Sequence, residues 1–136
     1  MSEPLVLVDS SAWIGYLLGH PAGPAHTVGR LLQTNRVATN AVVRVEILTG
    51  ARDELQYAVL EETFDGLHEL ALTPAIWRHA ARLRFDLRRA GHLVPLPDVV
   101  IACCAVAYGC QVFHLDRHFD RMAGALPLRI YSTTDP

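Results

Sequence analysis

Lysine is absent: all twelve basic residues of this 136-residue chain are arginine. That absence excludes several chemistries at once. A P-loop needs its lysine, a Schiff-base enzyme needs an amine, and phosphatases of the haloacid-dehalogenase type normally use one too. Cysteine is sparse. Cys103, Cys104 and Cys110 sit in or beside one apolar segment, an odd number that reads as reduced, buried thiols rather than a disulfide frame. Zinc would call for matched Cys/His pairs, and their spacing offers none. Long apolar runs are lacking as well: the longest, Val99–Tyr108, is half of the roughly 20 residues needed to span a bilayer. No basic segment precedes the first apolar run, so the amino terminus does not read as a signal peptide. The cytoplasm is the expected location, with no membrane partner. Linkers, low-complexity tracts and internal repeats are missing too. A net charge of -2 rules out a bulk polycation that clings to nucleic acid.

What is present is an apolar chain, 51% hydrophobic, of a length that suits one domain over residues 1–136. Leu5–Val8 reads as a strand buried on both faces, ending at Asp9. Ser10 and Ser11 then start a helix over Ala12–Leu18, followed by a loop to Pro24. A helix is expected over Ala25–Gln33 and a strand over Val37–Thr39. Asn40 caps a helix to Thr49, and Asp53 opens another ending near Gly66. His68–Leu72 reads as a strand. Thr73–Pro74 is a strong helix start, with a cap followed by Pro at the first helical position, for a helix running to Ala90. Asp98 is expected to begin a nearly all-apolar helix ending at Gly109. Gln111–His114, Arg117–Ala123 and Leu128–Tyr131 read as strand, helix and strand. Short apolar strands alternating with helices argue an α/β domain on a mainly parallel sheet, whose sites form beyond the carboxyl ends of the strands. Asp9 and Asp116 follow predicted strands directly.

The sharper signal is isolated charge. Asp9 is the only formally charged residue between Glu3 and Arg30, and Asp98 the only one between Arg89 and Asp116. A carboxylate in an apolar tract loses hydration and must be compensated. Capping a helix is one explanation for Asp9, Asp98 and Asp116, and a functional site is the other. Glu46 cannot cap, because it falls in mid-helix on Ala41–Leu48, apolar nearly all round and so expected to be buried on most faces. It needs a cation, a hydrogen-bond partner or a proton, and an ion pair to a distant arginine stays open beside a functional role. Arg44, two positions away, lies on another side of the helix. Carboxylates brought together repel unless a cation sits among them, and a hard-oxygen set suits Mg2+, or Mn2+, rather than zinc. Such an ion lets an acidic protein hold a polyanionic phosphodiester.

Other features have plainer readings. Asp120 is expected to be solvated or salt-bridged. Arg78, Arg82, Arg84, Arg88 and Arg89 make one helix basic, which fits an RNA-backbone contact but better fits a solvated face. Trp13, Ile14, Leu17 and Leu18 are expected in the core rather than against a partner. The histidines show no metal-ligand spacing, and catalytic use of His114 or His118 is the minor reading.

Four segments carry a family resemblance: Val8-Asp9-Ser10-Ser11-Ala12-Trp13-Ile14, Glu46-Ile47-Leu48-Thr49-Gly50, Pro97-Asp98-Val99-Val100-Ile101-Ala102, and Leu115-Asp116-Arg117-His118-Phe119. In order and setting they resemble the PIN-domain nucleases, and among them the VapC toxins of bacterial toxin–antitoxin pairs. The likeness runs from Val6 to Ile130. It implies a three-layer α/β/α sandwich with a mainly parallel central sheet. It also implies a Mg2+-dependent endoribonuclease (Mn2+ being the other candidate) in which Asp9 and Asp98 are the principal metal ligands. Asp116 would complete the site directly or through water. Glu46 would bind metal through water or position the attacking water, and Ser11 would hydrogen-bond near the metal. The implied partners are an RNA substrate, a second copy of the chain in a homodimer, and a small VapB-like antitoxin that pushes a basic or aromatic side chain into the acidic pocket. The sequence departs from the pattern at His114, where many relatives carry Thr or Ser, and at His118, often another Asp. The rival readings are an RNA-processing nuclease with no toxin role and a non-catalytic RNA- or protein-binding module, the latter opposed by the intact set of four acids. A haloacid-dehalogenase-like phosphatase would want an Asp where Ser11 stands.

Overall fold

The computed structural model describes residues 3–20 and 23–132. One sheet holds five short parallel strands in the order β3-β2-β1-β4-β5, namely β1 Val6–Val8, β2 Val37–Thr39, β3 His68–Glu69, β4 Gln111–Phe113 and β5 Arg129–Ile130. The helices are α1 Ser10–Leu17, α2 Pro24–Gln33, α3 Ala41–Thr49, α4 Glu54–Asp65, α5 Pro74–Arg89, α6 Leu96–Tyr108 and α7 Arg117–Met122. Together they make the three-layer α/β/α sandwich expected from the sequence.

The central strand explains the all-apolar pattern of its residues. Val6 pairs with both Val37 and Gln111, Leu7 with Ala38 and Val112, and Val8 with Phe113. With a strand on each side and helices on each face, β1 is fully buried, so alternation has no place in it. The chain runs outward from β1 through β2 to β3, then crosses back past β1 to β4 and β5. Right-handed connections of that kind put α1 to α4 over one face and α5 to α7 over the other. Trp13 of α1 packs on Phe64 of α4 at 5.0 Å between ring centroids, and α5 lies along α6. Gly109 ends α6 with φ 66, a left-handed position suited to glycine, and turns the chain into β4.

Several boundaries differ from the expectation. β3 closes after Glu69 instead of reaching Leu72, β1 starts at Val6, and β5 ends at Ile130. Helix α2 starts at Pro24, one residue early, with its proline in the first turn. Part of the expected loop over 19–24, residues 21 and 22, lies outside the described residues. Helix α6 starts at Leu96, two residues before Asp98: Pro95 stands at its cap and Pro97 in the first turn, where a missing N–H costs nothing. The expectation for α1 holds only in part. Trp13 is buried and Leu17 packs at the core's edge, but Ile14 and Leu18 are 53% and 69% exposed. Those two turn outward because the face of α1 that meets the sheet is carried by Ala12 and Trp13.

All three cysteines are free and buried. Burial pushes the Cys103 thiol up to about 11, which keeps it protonated and unreactive. Trp13 is the largest of the fully buried side chains. Trp13→Ala should therefore cost about 3–5 kcal/mol of stability, read as a lower urea midpoint with an unchanged slope.

Candidate active site

The strand order reverses between β1 and β4, and in open parallel sheets a crevice forms beyond the strand ends at that point. Asp9 follows β1 there, its amide donating to the Phe113 carbonyl at the end of β4 (3.0 Å). It is the cap of α1: Oδ2 accepts from the Ser11 amide at 3.1 Å and from Ser11 Oγ at 2.5 Å. Ser11 Oγ itself accepts from the Leu115 amide at 3.0 Å. One hydroxyl thus ties the start of α1 to the segment after β4. Capping and a site role are not alternatives for Asp9, because the cap uses one oxygen only. The other, Oδ1, is buried without a hydrogen-bond partner.

Asp98 lies in the first turn of α6 and caps nothing, so the capping explanation fails for this residue. Its side chain is 11% exposed, and Oδ2 stands 2.9 Å from His118 Nδ1. Burial, followed by the charge of Asp9, pushes its pKa up to about 6 against the opposing pull of His118. Asp116 caps α7, accepting from the His118 amide at 2.9 Å, and its Oδ1 is also 2.8 Å from His118 Nδ1. Burial works to raise Asp116, but the His118 amide and ring outweigh it and hold this carboxyl below its usual range.

Glu46 differs from its expected setting. Helix α3 buries only Val43, Ile47 and Leu48, leaving Glu46 exposed beside Val45, which is 62% exposed. No arginine pairs with Glu46 among the described residues; Arg44 is taken by Asp65 at 2.6 Å. Glu46 instead accepts from Ser10 Oγ at 3.0 Å. Partial burial, and then the charge of Asp9, raise its pKa although the Ser10 hydrogen bond works the other way.

The tightest group is Asp98, Asp116 and His118, whose ligand-type atoms all lie within 4.8 Å of one another. Asp9 and Glu46 stand outside that group but next to it, since the charge of Asp9 acts on both Asp98 and Glu46. His118 is the residue that sequence spacing missed. It touches Asp98, 20 positions away, and its signals were its place two residues after Asp116 and the Asp that the resembled pattern often has there. His114 is held differently. Its Nδ1 accepts from the Asp116 amide at 3.1 Å, and its ring lies on Phe119. Its Nε2, buried without a hydrogen-bond partner, is 3.7 Å from Asp120, whose carboxylate is largely solvated. On α5 the five arginines are exposed, with Arg82 paired to Asp86 and Arg84 donating to the Val94 carbonyl, as a solvated face does.

This donor set suits a divalent cation. Carboxylates crowd one space, one of their buried oxygens lacks any donor, and no arginine or lysine fills the gap among the described residues. Asp9, Asp98 and Asp116 could hold such an ion, with Glu46 at its margin.

Comparison with known proteins points the same way. The PIN domain family matches residues 6–125. Ribonuclease VapC11 of Mycobacterium tuberculosis is 36% identical over 123 residues, covering 88% of this chain and 92% of its own. Among solved structures, the DNA-bound VapBC of Salmonella typhimurium has a TM-score of 0.78 at 24% identity, covering 95% of this chain and 98% of its own. VapBC-5 of Mycobacterium tuberculosis, a member of the VapBC family of toxin–antitoxin systems, has a TM-score of 0.68 at 23% identity, covering 96% of this chain and 100% of its own.

The raised pKa of Asp98 sets a pH dependence. Between about 4 and 6 the folded chain keeps a proton on Asp98 that the unfolded chain has lost, so stability from this group falls as pH rises through that window. At pH 7 the ion-free protein bears the full cost of the buried charge. Asp98→Asn should then stabilise it by about 1–3 kcal/mol at pH 7 and by little below pH 4, measured by thermal melts in EDTA.

Proposed function

The chain belongs to the PIN domain family, and from that premise we propose that it is a divalent-metal-dependent endoribonuclease, the VapC-type toxin of a toxin–antitoxin pair. The observation that carries the reading is Asp9: a buried carboxylate whose Oδ1 has no donor, beside Asp98 and Glu46. Buried carboxylate oxygens without a donor are uncommon, and beside other carboxylates a cation is the partner that fits. Asp9, Asp98 and Asp116 would hold Mg2+ or Mn2+. When bound, the ion neutralises the phosphodiester and makes attack by water easier.

The chain's own groups do the rest. Ser11 fixes the carboxylate of Asp9 in one orientation and fastens the segment that carries Asp116. Glu46, exposed to solvent and with a raised pKa, would orient an attacking water and take its proton. The repelling charge that an acidic surface presents to RNA is met at the site by the ion. Relatives named ribonuclease VapC11 and structures of VapBC complexes support RNA as substrate and a small antitoxin as partner. A homodimer and a single domain over the whole chain belong to the same proposal.

Asp9→Asn and Asp98→Asn should each leave the circular dichroism of the chain unchanged and reduce cleavage of total cellular RNA by about 100-fold or more. EDTA should stop the wild-type protein and added divalent ion restore it. Cleavage that survives both substitutions, or that ignores EDTA, would sink the reading.

A further inference from the structure

We propose that His118 Nδ1 is itself a ligand of the divalent ion, together with Asp98 and Asp116, and that this nitrogen turns the site's preference from Mg2+ towards a first-row transition ion such as Mn2+. The inference rests on the metal-dependent reading above and deepens it.

Two lengths carry the argument. His118 Nδ1 is 2.9 Å from Asp98 Oδ2 and 2.8 Å from Asp116 Oδ1. A ring nitrogen bears at most one hydrogen, so it cannot give a full hydrogen bond to each carboxylate. Without a hydrogen its lone pair would face two anionic oxygens. This corner of the site therefore requires a proton or a cation. Ligands at neighbouring positions on a small octahedral dication, bonded at roughly 2.1 Å, stand about 3 Å apart. The two nitrogen–oxygen lengths are thus those that neighbouring ligands of such an ion would show.

The ring is also held for that purpose. Its backbone amide donates to Asp116, the same carboxylate its Nδ1 faces, so residue and ligand partner are fixed as one unit at the start of α7. A second, independent oxygen points to a bound ion: the partnerless Oδ1 of Asp9, 2% exposed, whose charge reaches Asp98. Mg2+ prefers an all-oxygen set, whereas imidazole suits the first-row transition ions, whose affinities rise from Mn2+ onwards. One nitrogen among carboxylates favours the latter class.

Three measurements on the full-length protein test this. Pulsed electron paramagnetic resonance of bound Mn2+ should show coupling to a directly bonded imidazole nitrogen, altered by nitrogen-15 histidine labelling and lost in His118→Asp. Calorimetric titration should find the ratio of Mn2+ to Mg2+ affinity about tenfold or more lower in His118→Asp than in the wild type. EDTA sensitivity of RNA cleavage is followed in parallel. Mn2+ bound without nitrogen coupling, or with a coupling or affinity ratio unchanged by the substitution, overturns the assignment and leaves His118 as an internal counter-charge; metal-dependent cleavage would then stand alone. If neither ion binds and EDTA is without effect, both readings fall together. Where His118→Asp does not fold, the labelled wild-type spectrum tests for a histidine ligand and His118→Gln assigns it; a labelled spectrum without nitrogen coupling overturns the proposal.

Discussion

Carboxylates that share a poorly hydrated space disfavour one another's charge, and at the carboxyl ends of β1 and β4 the chain gathers several of them. Holding them there takes everything the fold has near that seam. Parallel pairing of β1 with β4 brings Asp9 and Asp116 to the same edge. The crossover from β3 returns α6 beneath them and delivers Asp98 in its first turn. The unpaired oxygen of Asp9, the elevated pKa of Asp98 and the shared imidazole are three expressions of that one constraint. An ion-free chain relieves it partly, by keeping protons where ordinary carboxylates would lose them.

Asp9 keeps its cap and its proposed role on different oxygens, whereas Asp116 would use Oδ1 for both. Asp9 caps α1 through Oδ2 and Asp116 caps α7 through Oδ1, so each is oriented by the helix it starts. Such double use explains how short elements make a precise site. A cap fixes the direction of a side chain within the first turn and asks no neighbouring element for support. Ser11 extends the scheme by joining one cap to the other strand's exit.

Much of this was legible in the sequence because isolation is a strong signal: an acid with no other charge for many residues has either a cap or a partner to explain it. The sheet's direction and the helix order followed from apolar runs alternating with helical patterns. What escaped did so for physical reasons. The partnership of His118 with Asp98 is made across two helices, and no spacing rule reports it. The start of α6 shifted because Pro95 and Pro97 flank a residue that can enter the helix early, which moved Asp98 from a cap into the first turn. Glu46 read as buried because its helix is apolar, yet part of that apolar surface, Ala41 and Val45, faces outward. An all-apolar helix reveals the wish for contact and not where the contact is.

Strands of two or three residues rise only about 7–10 Å, so the sheet is scarcely deeper than one layer of side chains. Val8 is at once the last residue of the central strand and the neighbour of Asp9. Interior and candidate site are therefore the same stratum of the molecule. A methyl group removed from Val8 would leave its gap one peptide away from the proposed metal site.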